Sequence, residues 1–180
     1  MSEELNELKE HAEHAKEDPT LAPVSVTMAV LAVLVAVVSL LGHRAHTEEV
    51  VLQSKAADQW ALYQAKNMRR HMDELFTDMT SVQPSSDPAA LTKLREKYAA
   101  EAARYKNDQS ELEPEARNLE AEVIVEEKRA DRYDLAEVFL EIGLVITSIT
   151  LLSGRKIFWW LGMLLGVVGI VVSITGHLIH

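Results

Sequence analysis

LAEVFLEIGLVITSITLLSGRKIFWWLGMLLGVVGIVVSITGHLIH, residues 135 to 180, decides the fold. It holds two apolar runs, Leu135 to Leu152 and Ile157 to His180, separated only by Ser153-Gly154-Arg155-Lys156. A bilayer core about 30 Å thick needs about 20 apolar helical residues, and the second run meets that length. The first is shorter and carries Glu137 and Glu141, so taken alone it fits a buried soluble helix. Its distance of four residues from a spanning helix settles the reading, because backbone in lipid must satisfy its own hydrogen bonds. The pair reads as a tight transmembrane hairpin.

A third apolar run lies far upstream, from about Ala22 to Leu41. Charged residues make up 26% of the chain, yet none falls between Pro19 and His43 or between Ile157 and His180. Charge is segregated, as expected of a chain that lives in two solvents. The sequence therefore predicts an all-α membrane protein: an acidic helical leader at 1–21, a transmembrane helix at 22–42, an extramembrane block at 43–134, transmembrane helices at 135–152 and 157–180, and a basic turn at 153–156. The first run follows an acidic leader and lacks a small-residue cleavage site, so it is expected to be retained. There is no cysteine, which removes disulfides and thiolate ligands.

The block at 43–134 is charged and heptad-patterned. Apolar positions recur three and four apart, as a coiled-coil seam requires. In the first arm they are Ala61, Ala65, Met68, Met72, Leu75, Met79 and Val82. In the second they are Leu91, Leu94, Tyr98, Ala102 and Tyr105, then Leu112, Ala116, Leu119 and Val123, and on to Ala130 and Tyr133. Gln-Pro-Ser-Ser-Asp-Pro at 83–88 interrupts the pattern, with Asp87 as N-cap and Pro88 in the first helical position. A long antiparallel, coiled-coil-like hairpin is expected, on the order of 60 Å if straight. Pro114, preceded by the polar run Lys106 to Ser110, predicts a kink or hinge near 106–114. The block holds 19 acids against 14 Lys and Arg, which gives nucleic-acid binding no support.

Orientation is a contest of charges. Arg155 and Lys156 in the short turn argue for a cytoplasmic turn and an external hairpin, since long loops translocate largely regardless of charge. Arg44, Lys128, Arg129 and Arg132 flank the opposite face. The short loop is given precedence, which places the chain in a bacterial inner membrane with the hairpin periplasmic or external.

Each apolar run carries a stripe of small residues, the pattern that lets helices pack closely where lipid supplies no hydrophobic drive. The third has Gly162, Gly166, Gly169, Ser173 and Gly176. The second has Gly143, Thr147, Thr150 and Gly154, and the first Ser25, Ala29, Ala32, Ala36 and Ser39. These spacings do not say whether the stripes pack within one subunit or between subunits; internal pairing of the last two helices is favoured.

The candidate chemistry sits where the stripes run out. His11/His14, His43/His46 and His177/His180 share a one-turn spacing, which lets two imidazoles share a metal or a proton. Glu137 and Glu141 begin the second span at the same membrane face. The plain reading makes the histidines amphipathic interface residues and puts Glu137 among headgroups. Glu141 is harder to place, being about 9 Å further along the helix than Leu135. It also points away from Gly143, so it is expected to meet another subunit or polar group.

The stretch Ala57-Asp58-Gln59-Trp60-Ala61-Leu62-Tyr63-Gln64-Ala65-Lys66, with Gly42-His43-Arg44-Ala45 after the first run, resembles the signature of a bacterial family of uncharacterised membrane proteins, domain of unknown function 4337. The resemblance covers essentially the whole chain and implies its architecture, with no activity to carry over. Trp60 and Tyr63 offer broad packing surfaces, while Asp58, Gln59 and Lys66 can bond across a helix interface. No enzyme or cofactor is expected. The leading expectation is a homo-oligomeric membrane scaffold whose partners are the bilayer, further copies of itself and an unidentified membrane protein. The alternative is a cation or proton channel or transporter subunit that uses Glu141, Glu137 and the histidines at 43, 46, 177 and 180; a weaker one is an enzyme with a His/Glu metal centre.

Overall fold

The computed structural model describes residues 21–84 and 86–179. Among them are three helices and no strand: α1, Ala22–Val82; α2, Pro88–Ser153; and α3, Lys156–His177. All three are long and apolar enough over part of their length to cross a membrane. The sequence divisions at 42/43 and 134/135 fall inside α1 and α2, which pass from apolar to charged sequence without a break.

Local chemistry sets the ends. Residue 84 is a proline, which disfavours helical backbone at Gln83, and α1 stops at Val82. Asp87 caps α2, its Oδ1 accepting from the Ala90 amide at 3.0 Å, and Pro88 occupies the first turn, where its missing N–H costs nothing. Gly154 closes α2 in left-handed backbone at φ +66°, its amide bonded to the Thr150 carbonyl at 2.9 Å. α2 runs through Pro114, which leaves the Ser110 carbonyl without its usual helical donor.

The described residues fall into two compact units: the part up to Glu48 together with Val125 onward, and Glu49–Ile124. The first unit packs α1, α2 and α3 around Leu31, Val38, Ala45, Ala130, Tyr133, Ala136 and Leu140. α3 meets its neighbours through buried Gly162, Gly166, Gly169 and Gly176. A Cβ on Gly166 would stand 2.7 Å from Leu31, and one on Gly169 would stand 3.0 Å from the Ala136 carbonyl. Trp159 Nε1 donates to Thr27 Oγ1 at 3.0 Å, joining α3 to α1.

The second unit pairs the α1 and α2 arms. Gln59 Nε2 donates to Glu115 at 2.6 Å, Trp60 Nε1 to Glu120 at 2.8 Å and Lys66 Nζ to Asp108 at 2.6 Å. Phe76 packs against Tyr98 with centroids 4.4 Å apart and the rings tilted by 49°, and Arg95 donates to the Thr80 carbonyl. Arg117, bonded to Glu113 and positioned over the Trp60 ring, has its pKa raised further by that carboxylate. Of the positions its heptads mark, the second arm buries Ala102 and Ala116, half-buries most of the rest and leaves Leu94 exposed. The first arm does not: Ala61, Ala65, Met68, Met72, Leu75, Met79 and Val82 are all exposed. Its inner face is instead the one carrying Lys66, Arg70 and Phe76, because those side chains find partners on α2 or within α1.

Candidate functional site

The site belongs to the first unit, where the apolar stretch of α1 gives way to charge beside α2 and the end of α3. Its geometry starts from close packing. Gly42 is buried, and a Cβ there would stand 3.3 Å from Asp134 Oδ1 and 3.5 Å from Tyr133 Cβ. Buried Ala45, Ala130 and Tyr133 continue the contact. At the α3 end, a Cβ on Gly176 would stand 2.9 Å from Arg132 Cβ. These small residues bring the polar groups of three helices to one end of the unit.

The polar groups then pair in a way the HxxH spacing does not suggest. His46 Nε2 meets Asp134 Oδ2 at 3.0 Å, across 88 residues of sequence. His43 turns back onto its own helix, its Nδ1 bonded to the Ser39 carbonyl at 2.8 Å, which makes Nδ1 the protonated nitrogen. Arg129 donates to Glu126 and, at 2.8 Å, to the Ile179 carbonyl, satisfying an acceptor that the end of α3 leaves free. His177 lines a cavity of about 450 Å³ with Arg44, Glu48, Glu126, Arg129 and Tyr133. His43 and His46 thus take different partners, and His177 belongs to the cavity. His11, His14 and His180 lie outside the described residues. Among the described residues no group of three His, Asp or Glu side chains could hold a metal ion.

Glu137 is half-buried and Glu141 exposed, and neither makes a hydrogen bond or ion pair among the described residues. The neighbours of Glu141 on that surface, Val138, Ile142 and Val145, are exposed and apolar. The small-residue stripes divide in two. Gly143, Gly162, Gly166 and Gly169 are buried within this chain and Ser173 is half-buried, whereas on α1 Ala32 is half-buried and Ala36 exposed. The packed face of α1 carries Met28, Leu31 and Val38 instead. Trp60 and Tyr63, in the other unit, are half-buried and meet edge to face at 5.4 Å.

Sequence reasoning missed Asp134, Glu126 and Tyr133 as site members. The one available signal is position: each lies within two to three helical turns of the point where α2 turns apolar. No curated protein and no solved structure matches the chain. A family model matches residues 20–179, nearly the full length, and on that match the chain belongs to the family described as Domain of unknown function (DUF4337).

Proposed function

We propose that this protein is a membrane-anchored, homo-oligomeric scaffold without enzymatic activity, carrying an antiparallel, coiled-coil-like hairpin outside the bilayer. Membrane insertion is supported by the side chains that the first unit leaves exposed, among them Val30, Val33 and Val37 on α1 and Leu164, Val167 and Val171 on α3. Exposed apolar surface on that scale marks an interaction with lipid or protein. The antiparallel arrangement is supported by the order of the cross-arm pairs, Gln59 with Glu115, Lys66 with Asp108 and Thr80 with Arg95, whose partners rise and fall in opposite directions. The basic turn at Arg155 and Lys156 supports a cytoplasmic turn and external arms in a bacterial inner membrane.

The observation that carries oligomerisation is Glu141. It stands on the outer surface of α2 with no partner among the described residues, in a run otherwise apolar. A charged side chain in the hydrocarbon region costs on the order of 2–3 kcal/mol, so such a residue faces protein or water in the assembled state. Mass measurement of the full chain in lipid nanodiscs tests the reading: an assembly of two or more copies is expected, and a monomer overturns it.

A second reading, a cation or proton pathway subunit, is favoured by half-buried Glu137 one turn before Glu141 on the same helix. Proteoliposome flux that Glu141→Gln abolishes would support this pathway, and flux that it leaves unchanged would remove it.

A further inference from the structure

The first arm of the second unit is inside out. Over residues 61–82 its exposed face carries an apolar stripe, with Met68 65%, Met72 62%, Leu75 60%, Met79 62% and Val82 83% exposed. Its inner face over the same stretch carries Lys66, Asn67, Arg70, Asp73, Thr77 and Thr80, with Tyr63 and Phe76 the aromatic members. Two of those inner groups, Arg70 Nε and Asp73 Oδ2, are buried without a hydrogen-bond partner among the described residues. A helix normally does the reverse, burying its apolar stripe and solvating its charges.

The stripe has the geometry of a seam. From Ala61 to Val82 the steps are four, three, four, three, four, three, a strict 3.5-residue period sustained for about 32 Å of helix. That period matches another helix running alongside. The second arm has no comparable free stripe, since between Pro88 and Ile124 its large exposed apolar side chains are Leu94 and Ile124, thirty positions apart.

We infer that the stripe is the seam of a parallel, in-register coiled coil with the same stripe of a second copy. The inference rests on the membrane reading above: copies inserted alike in one bilayer send their first arms out of the same face, so the arms run parallel and a two-fold axis along the membrane normal sets each layer against its own equivalent. Ala65, Met72 and Met79 then form one set of layers, and Ala61, Met68, Leu75 and Val82 the other. The flanking positions are compatible with this register. Gln64 comes beside Arg69 of the other copy, His71 beside Phe76 and Asp78 beside Gln83, so no like charges are opposed. Methionine, flexible and polarizable, fills such layers without demanding one fixed shape.

The chain has no cysteine, so single cysteines report the seam directly. Met72→Cys and Met79→Cys are introduced separately into the full chain in proteoliposomes, with Glu74→Cys and Ser81→Cys, exposed but off the stripe, as references. After oxidation, covalent dimer is expected at 72 and at 79 in at least about tenfold excess over 74 and 81, because a disulfide needs Cβ atoms about 4 Å apart. Equal dimer at all four positions overturns the seam. Dimer that forms only when Met72→Cys and Leu75→Cys chains are mixed means an antiparallel pair and overturns the register. Absence of dimer at 72 and 79 from a protein that is oligomeric in nanodiscs overturns the stripe as a self-association surface and leaves the oligomeric scaffold standing. A monomer in nanodiscs defeats the scaffold reading itself. Met72→Glu combined with Leu75→Glu supplies an independent check: the 72 and 79 layers hold together, so Met79→Cys dimer in that background is expected to fall about tenfold, while an unchanged yield overturns the seam.

Discussion

Gly143 of α2 and Gly162 of α3 meet backbone to backbone. A Cβ on Gly143 would stand 2.9 Å from the Gly162 carbonyl oxygen, and a Cβ on Gly162 would stand 2.7 Å from the Gly143 carbonyl oxygen and collide with Thr147 Oγ1. That hydroxyl cannot simply swing away, because it is buried and donates to the Gly143 carbonyl at 2.7 Å. Gly162→Ala therefore forces the two helices apart, at a cost of about 1–3 kcal/mol. Gly154→Ala meets no atom within 4 Å and costs about 1–2 kcal/mol for a different reason, its positive φ. Denaturant titration in detergent micelles reads both losses. Because the Gly143–Gly162 contact is internal to one chain, the Gly162→Ala loss is expected to be independent of protein concentration, and a loss that grows on dilution would contradict it.

The glycine steps of α3 were legible because a four-three-four repeat in an apolar run has few other uses, and Gly162, Gly166 and Gly169 are all buried. The same pattern on α1 was not enough. Ala29 and Ala36 are exposed while Met28, Leu31 and Val38 are buried, since α1 meets Gly166 with the bulky Leu31, and only one side of such a contact needs to be small. In the arms, periodicity located an apolar stripe but did not say whether it faces the neighbouring arm or points outward. The true inner face of the first arm is defined by polar pairs such as Lys66 with Asp108, invisible to a hydrophobic pattern. The His46–Asp134 pair lies beyond any local signal, because 88 residues separate its members.

The polar pairs of the site differ in what they contribute. His46 and Asp134 are about half exposed, 49% and 53%, whereas Arg129 and Glu126 are 26% and 14% exposed. Solvent screens the first pair, so Asp134→Asn is expected to change stability by less than about 1 kcal/mol. Arg129→Met strips the donor from a nearly buried carboxylate and from the Ile179 carbonyl together, and is expected to cost about 1.5–3 kcal/mol. Parallel melts of the two variants provide the check, and equal losses would contradict the ranking.

Pro114 sits within a continuous α2 and removes one backbone bond there. Restoring the amide with Pro114→Ala is expected to stabilise the arm, by up to about 3 kcal/mol if no strain is introduced. The gain is local, so hydrogen exchange should slow between residues 106 and 114 before it slows elsewhere. Unchanged or faster exchange there would mean that the helix has adapted to the proline.

Glu141 distinguishes a group that faces lipid from one that faces a partner. If its outward surface met acyl chains, Glu141→Leu would remove a cost on the order of 2–3 kcal/mol and leave assembly untouched. If that surface meets another subunit, Glu141→Leu takes away a hydrogen-bonding group at the contact and strands its partner, at a cost of about 1–3 kcal/mol. Glu141→Gln keeps an acceptor and adds donors in nearly the same volume, so it retains part of the interaction. Native mass measurement in nanodiscs is therefore expected to rank the assemblies wild type, then Glu141→Gln, then Glu141→Leu. The ranking depends on chemistry at one position and not on bulk, because Val138, Ile142 and Val145 around it are the same in all three proteins. An undiminished assembly of Glu141→Leu would mean that this carboxylate faces lipid and not a partner, and would transfer the burden of oligomerisation to the arms.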